Sequence, residues 1–319
     1  MKPLITLTAL CVMTTALPVR AVDVVFDYTY DSTGFFTSER RAVLDQVSRV
    51  FSLNLLDTLT AIAPSGRNAF TVDFFDPQNP FGGSKVVENF QVAADEVRIF
   101  VGTQAFSSQT LGVGGPGAYS VSGSDAFVKN AASRGETGIV DVAGGYVFPV
   151  ADFAPWGGSI TFGSNVAWHF DSDVSTLENF SGQFDFYTVA MHETAHVLGF
   201  GTAGSWFNQV QGDTFTGAVT SAANSGQPAA LQGDGSDAHF SSSLMGSANG
   251  VQQVPLLSPF INVGRRQYMT NLDWAALDDI GWEVASQQIT VPSPVPEPGN
   301  WALMLGGLLM VGSFARRRH

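Results

Sequence analysis

Residues 192 to 201 read His-Glu-Thr-Ala-His-Val-Leu-Gly-Phe-Gly. His192 and His196 are four apart, so on a helix they lie one turn above the other on a single face. Two imidazoles in that relation can share one zinc ion. Glu193, beside the first, can reach a zinc-bound water without becoming a ligand. A 319-residue chain with five histidines produces this string by chance about 0.002 times, so the spacing carries information. The competing reading is an amphipathic helix whose histidines face solvent.

A catalytic zinc site has three protein ligands and a fourth position left for water. The other histidines are His169, His239 and His319. His319 ends a basic tail, and His169 in Val-Ala-Trp-His-Phe reads as a structural strand residue. No Glu lies between Glu193 and Glu283, which disfavours a downstream Glu as third ligand. His239, in Asp-Ala-His-Phe-Ser-Ser-Ser-Leu-Met-Gly, is the best candidate, against a plain surface-loop histidine.

The elements that must hold these groups are partly legible. Asp185 is placed to cap a helix carrying His192 and His196, its carboxylate suiting the positive end of the dipole. Gly199 and Gly201 mark the exit, where a left-handed residue turns the chain. Upstream, Val22 to Tyr30 alternates as a first strand. Ser38 to about Thr58 forms a long helix with Leu44, Val47, Phe51 and Leu55 inward and Glu39, Arg40, Arg41 and Arg49 solvated. Ala69 to Asp76 and Val86 to Val101 are strand-rich. Gly112 to Gly117 reads as a loop with no following lysine and helix to make it a phosphate site. Trp156 to Phe162 reads as a short strand and a candidate sheet edge on which a peptide could lie. Residues 203 to 235 read as irregular, and Leu272 to Gly281 as a late helix.

Composition describes an exported body. Met1-Lys2, an apolar stretch from Leu4 to Leu17, and Val19-Arg20-Ala21 fit a signal peptide over residues 1–21. The one cysteine, Cys11, lies inside it, so the mature chain has no disulfide and no thiolate ligand. Stability must come from a core, which roughly 265 residues can supply. Losing Lys2, Arg20 and Arg316 to Arg318 removes five positive charges from a formal net charge of −13, leaving −18. That balance argues against nucleic acid or anionic membrane as a partner.

With these residues in hand, the chain resembles the metzincin zinc peptidases, whose motif is H-E-x-x-H-x-x-G-x-x-H with a later methionine turn. The last motif position falls on Thr202, a poor zinc ligand. Leishmanolysin-like members carry an insertion there, with the third histidine shortly before a Leu-Met turn. Gly199-Phe200, His239-Phe240 and Leu244-Met245-Gly246 resemble that arrangement. The resemblance implies an α+β fold with a twisted mixed sheet, an active-site helix and an irregular C-terminal part with a late helix, over residues 22–288. It implies zinc held by His192, His196 and His239, Glu193 as general base, and Met245 as the turn methionine. The activity expected is endopeptidase cleavage of a protein or peptide substrate by a monomer. Tyr268 is a candidate oxyanion donor. The family's usual propeptide cysteine has no counterpart here.

At the C-terminus, a Pro-rich linker over residues 289–298 precedes apolar Trp301 to Ala315 and Arg316-Arg317-Arg318. Pro296-Glu297-Pro298 in that setting resembles a PEP-CTERM sorting signal over residues 299–319. It implies transient membrane attachment, processing by exosortase-type machinery and a bacterial cell-surface or extracellular destination. The rival reading is a zinc-stabilised surface or exopolysaccharide-matrix module without hydrolysis. Glu193 speaks against it, because a structural site has no use for a base.

Overall fold

The computed structural model describes residues 22–107, 109–135, 140–142, 145–147, 155–176 and 180–291. The signal-peptide and sorting-tail readings, with Cys11 and His319, lie outside them. The protein is mixed α and β, with several sheets and few helices.

The main sheet is built on three parallel strands, of which the first two are β1 (Asp23–Asp27), at one edge, and, after helix α1 (Ser38–Asn54) and a hairpin of β2 (Ala69–Asp76) and β3 (Asn79–Val87), β4 (Glu96–Gln104). Next come β5 (Gly112–Pro116), β6 (Ala118–Ser122), helix α2 (Asp125–Ser133) and a small hairpin of β7 (Val140–Val142) and β8 (Gly145–Val147). Strand β9 (Gly157–Gly163) completes the main sheet, whose order is β1-β4-β9-β5 with β5 antiparallel. Side chains alternate across it. Val97, Ile99, Val101, Ile160 and Phe162 join the core under the helices. Phe100 faces the second layer, the sheet β3-β2-β6, and stacks on Phe74 at 4.5 Å. On that same face Ser159 and Thr161 are buried but satisfied, donating to the carbonyls of Phe75 and Pro77 at 3.0 and 2.9 Å. Buried hydroxyls without such acceptors would cost free energy.

Several expectations change here. The run Gly112 to Pro116 is a strand, not a loop, and it forms the edge of the sheet next to β9. Strand β9 is therefore internal, hydrogen-bonded to β4 on one side and β5 on the other, and offers no edge. Helix α1 stops at Asn54 rather than near Thr58. Leu55 turns extended and bridges to Val284, and the Leu56 N–H donates to the Glu283 carbonyl at 2.8 Å. Backbone pairing with a distant segment thus outweighs a continuing apolar stripe. Arg40 is not simply solvated, since its guanidinium lies over Phe35 and Phe170 at 4.3 and 4.4 Å. Arg49 is half-buried as well.

After β10 (Trp168–His169) and β11 (Phe184–Asp185) comes α3 (Phe186–Val197). It is buried all round, so its histidines do not face solvent. The supposedly irregular 203–235 stretch contains α4 (Gly204–Phe207), β12 (Val210–Gln211), β13 (Thr214–Phe215), α5 (Ala218–Ala223) and β14 (Ala229–Ala230). Strands β15 (Gly246–Ala248) and β16 (Val251–Gln253) precede the late helix α6 (Asn271–Asp279). Gly281, at φ +119°, lies just past it. Packing continues beyond 288. Asn54 exchanges two hydrogen bonds with the Ile289 backbone, and Val291 still packs on the core. Among the described residues no helix is long and apolar enough to cross a membrane.

Candidate metal centre

Helix α3 begins where its sequence says it should. The Asp185 carboxylate accepts from the Thr188 N–H and hydroxyl at 3.1 and 2.7 Å. It also takes a two-pronged contact from Arg266, both bonds 3.1 Å, with both side chains fully buried. Two turns later His192 and His196 emerge on one face. Their exit is locked: the Thr202 hydroxyl donates to the His196 carbonyl, and the Trp282 indole donates to the Leu198 carbonyl, both at 2.7 Å. Thr202 therefore caps the helix at the position where the shorter motif would carry its third histidine.

His239 arrives from the far side. Gly201 sits at φ +67°, and a Cβ there would meet the Ala238 carbonyl oxygen at 2.2 Å, so only glycine lets the chain before His239 pass so close. The Trp206 indole holds the Asp237 carbonyl at 2.8 Å. The result brings the three histidines together. His196 Nε2 is 3.1 Å from both His192 Nε2 and His239 Nε2, and the three ligand atoms lie within 4.8 Å of one another. Two nitrogens bound to one tetrahedral ion at about 2.0–2.1 Å would be roughly 3.3 Å apart.

The ring tautomers are fixed from behind. His192 Nδ1 donates to the Leu256 carbonyl at 2.9 Å and His196 Nδ1 to the Phe200 carbonyl at 2.8 Å. That leaves each Nε2 a bare lone pair, the state a metal needs. His239 Nδ1 is buried with no hydrogen-bond partner among the described residues. Burial pushes the pKa of His192 well below its ordinary value and that of His196 down to about 3, and the neighbouring histidines add to this. Burial lowers His239 too, opposed by the nearby Asp234 carboxylate. Three neutral, crowded imidazoles with converging lone pairs could hold a metal ion. Among the described residues no other group of His, Cys, Asp or Glu does so.

Glu193 lies beside them, 6 % exposed. Burial lifts its carboxyl to about 8 against the pull of a hydrogen bond from the Gly114 N–H. This contact was missed in the sequence. Strand β5 lies directly on α3: a Cβ on Gly112 would be 2.8 Å from Glu193 Cγ, and one on Gly114 would be 2.5 Å from the Glu193 carbonyl oxygen. Alternate glycines in a short apolar run are the signal that was available, since glycine inside a strand marks a close backbone approach. The histidines, Glu193 and β5 border a cleft of ≈ 630 Å³ whose other walls include Leu111, Phe184, Pro259 and Ile261.

Two assignments do not hold. Met245 is 53 % exposed, so it is not a buried turn beneath the histidines. Tyr268 donates its hydroxyl to the Val174 carbonyl at 2.7 Å and packs on Tyr187, so it is not an oxyanion donor in the cleft. His169 stacks on Phe180 at 4.0 Å, apart from the trio, as a structural residue would. No protein-family model, curated protein or solved structure matches this chain.

Proposed function

We propose that this protein is an exported zinc-dependent endopeptidase of metzincin-like, leishmanolysin-type arrangement, directed to the cell surface by its C-terminal segment. The observation that carries this reading is the convergence of three neutral histidines beside a buried carboxylate in an open cleft. Three nitrogen donors with a vacant direction suit zinc better than calcium or magnesium, which prefer oxygen. Zinc bound there would supply Lewis acidity, lowering the pKa of a water and polarising a carbonyl.

The remaining work falls to the chain. Glu193 is held in place by the Gly114 N–H and lines the same cleft as the trio. The charge of a zinc ion there would draw its carboxyl back down from the value of about 8 that burial gives it, so that the ionised carboxylate can take a proton from the attacking water and hand it to the departing amine. Strand β5 has one edge paired to β9 and the other open to the cleft. An extended peptide can add to that open edge, which fixes its scissile bond over Glu193. A non-hydrolytic matrix module would have no use for a base so placed.

Glu193→Gln keeps size and both neighbouring ligands while removing the proton acceptor. Zinc content and thermal stability should persist, and casein or peptide-library cleavage should fall by roughly 10²–10⁴-fold. A chelator should abolish cleavage by the unaltered protein, and added zinc should restore it. Undiminished cleavage by zinc-loaded Glu193→Gln would remove this mechanism.

A further inference from the structure

Asp273 stands outside the cleft, fully buried at the start of α6. Its carboxylate completes a capping box, accepting the Thr270 N–H at 2.7 Å and hydroxyl at 2.8 Å on Oδ2. A helix cap needs no more than that. Yet the same carboxylate also accepts the N–H of Leu256 on Oδ2 and the N–H of Leu257 on Oδ1, both at 3.0 Å.

Those two residues lead straight to the histidines. The Leu256 carbonyl accepts from His192 Nδ1 at 2.9 Å. The Leu257 carbonyl accepts from the N–H of Phe240, next to His239, at 2.9 Å. One peptide unit therefore carries the Leu256 carbonyl toward His192 at one end and the Leu257 N–H toward Asp273 at the other. Carboxylate–histidine pairs behind metal ligands orient the ring and raise its basicity. Here the pair is relayed through a peptide, whose two ends polarise together.

We infer that Asp273 is a positioning residue for two of the three ligand histidines, acting through the Leu256–Leu257 backbone. It holds that dipeptide by both N–H groups, so the two carbonyls point at the His192 ring and at the backbone beside His239. The inference rests on the metal-site reading above. Asn in place of Asp273 would lose an acceptor oxygen and the negative charge, releasing one of the two leucine N–H groups.

The test uses the full chain. Asp273→Asn should weaken zinc affinity roughly 10- to 100-fold, the range for such orienting partners. Asp279→Asn is the matched control. Asp279 anchors the Val219 and Thr220 N–H groups at 2.8 and 2.7 Å from the same helix, with no bond toward the histidines. Its affinity should be unchanged while its stability falls. Equal loss in both variants, or no loss in Asp273→Asn, overturns the inference and leaves the proposed activity standing. If Asp273→Asn does not fold, imidazole ¹⁵N spectra of the zinc-loaded natural chain decide. His192 should coordinate through Nε2 with a slowly exchanging Nδ1 proton; coordination through Nδ1 overturns the relay. A natural chain that holds no zinc overturns both readings.

Discussion

Three buried side chains and the half-buried His239 around one point give the metal-free site opposing responses to pH. The histidines have folded-state pKa values below their ordinary 6.5, His196 at about 3. Their contribution to stability is complete above about 6.5 and is lost as pH falls toward 3, because the unfolded chain takes protons first. Glu193 runs the other way. Raised from 4.5 to about 8, its contribution is complete below 4.5 and is lost as pH rises through 8. Denaturant unfolding of chelated protein should therefore lose stability on both sides of slightly acid pH. Glu193→Gln should flatten only the alkaline side, and an identical alkaline slope in that variant would refute the assignment. Ligand identity is checked separately by metal content. His239→Ala should lose most bound zinc and His169→Ala, whose ring stacks on Phe180, should keep it.

At the scale of elements, the decisive contact is β5 against α3. Gly114 has no room for a Cβ, which would meet the Glu193 carbonyl oxygen at 2.5 Å. Gly115, one residue on, would make only an ordinary contact with Phe75 at 3.7 Å. Gly114→Ala should therefore destabilise by about 1–3 kcal/mol through overpacking and lower cleavage by shifting β5 from Glu193. Gly115→Ala should be near neutral in thermal unfolding and activity. Equal effects of the two would mean that β5 does not bear on the helix as described. Such a pair separates a strand that positions the base from one that merely closes the sheet.

Across the whole molecule, the C-terminal part of the body is tied back to α1. Asn54, 0 % exposed, donates to the Ile289 carbonyl at 2.9 Å and accepts from its N–H at 2.7 Å. A chain ending at Val291 should keep the stability and zinc affinity of the full chain. A chain ending at Gln288 leaves buried Asn54 without those partners and should lose about 1–3 kcal/mol in denaturant unfolding. Equal stability of the two truncations would place the boundary of the body earlier. The residues from about Pro296 onward are proposed as an address, so their removal should alter destination and leave hydrolysis intact.

The parts of the site legible in the sequence are those set by local geometry. Helical spacing alone put His192 and His196 on one face, and a short polar side chain before the helix marked Asp185 as its cap. Glycines at 199 and 201 announced the exit. His239 could be nominated, but only the fold brought it to 3.1 Å from His196, because the path between them depends on Gly201 and Trp206 meeting residues 237 and 238. Pairing between strands leaves no comparable local mark. Hence Trp156 to Phe162 reads as an edge where β5 covers it, and the apolar stripe of α1 runs on past the point where Leu55 pairs with Val284. Met245 followed a motif whose packing this chain does not reproduce. The support of His192 by Leu256 and Asp273 joins residues 64 and 81 positions away through backbone atoms, and backbone atoms are the same in every sequence.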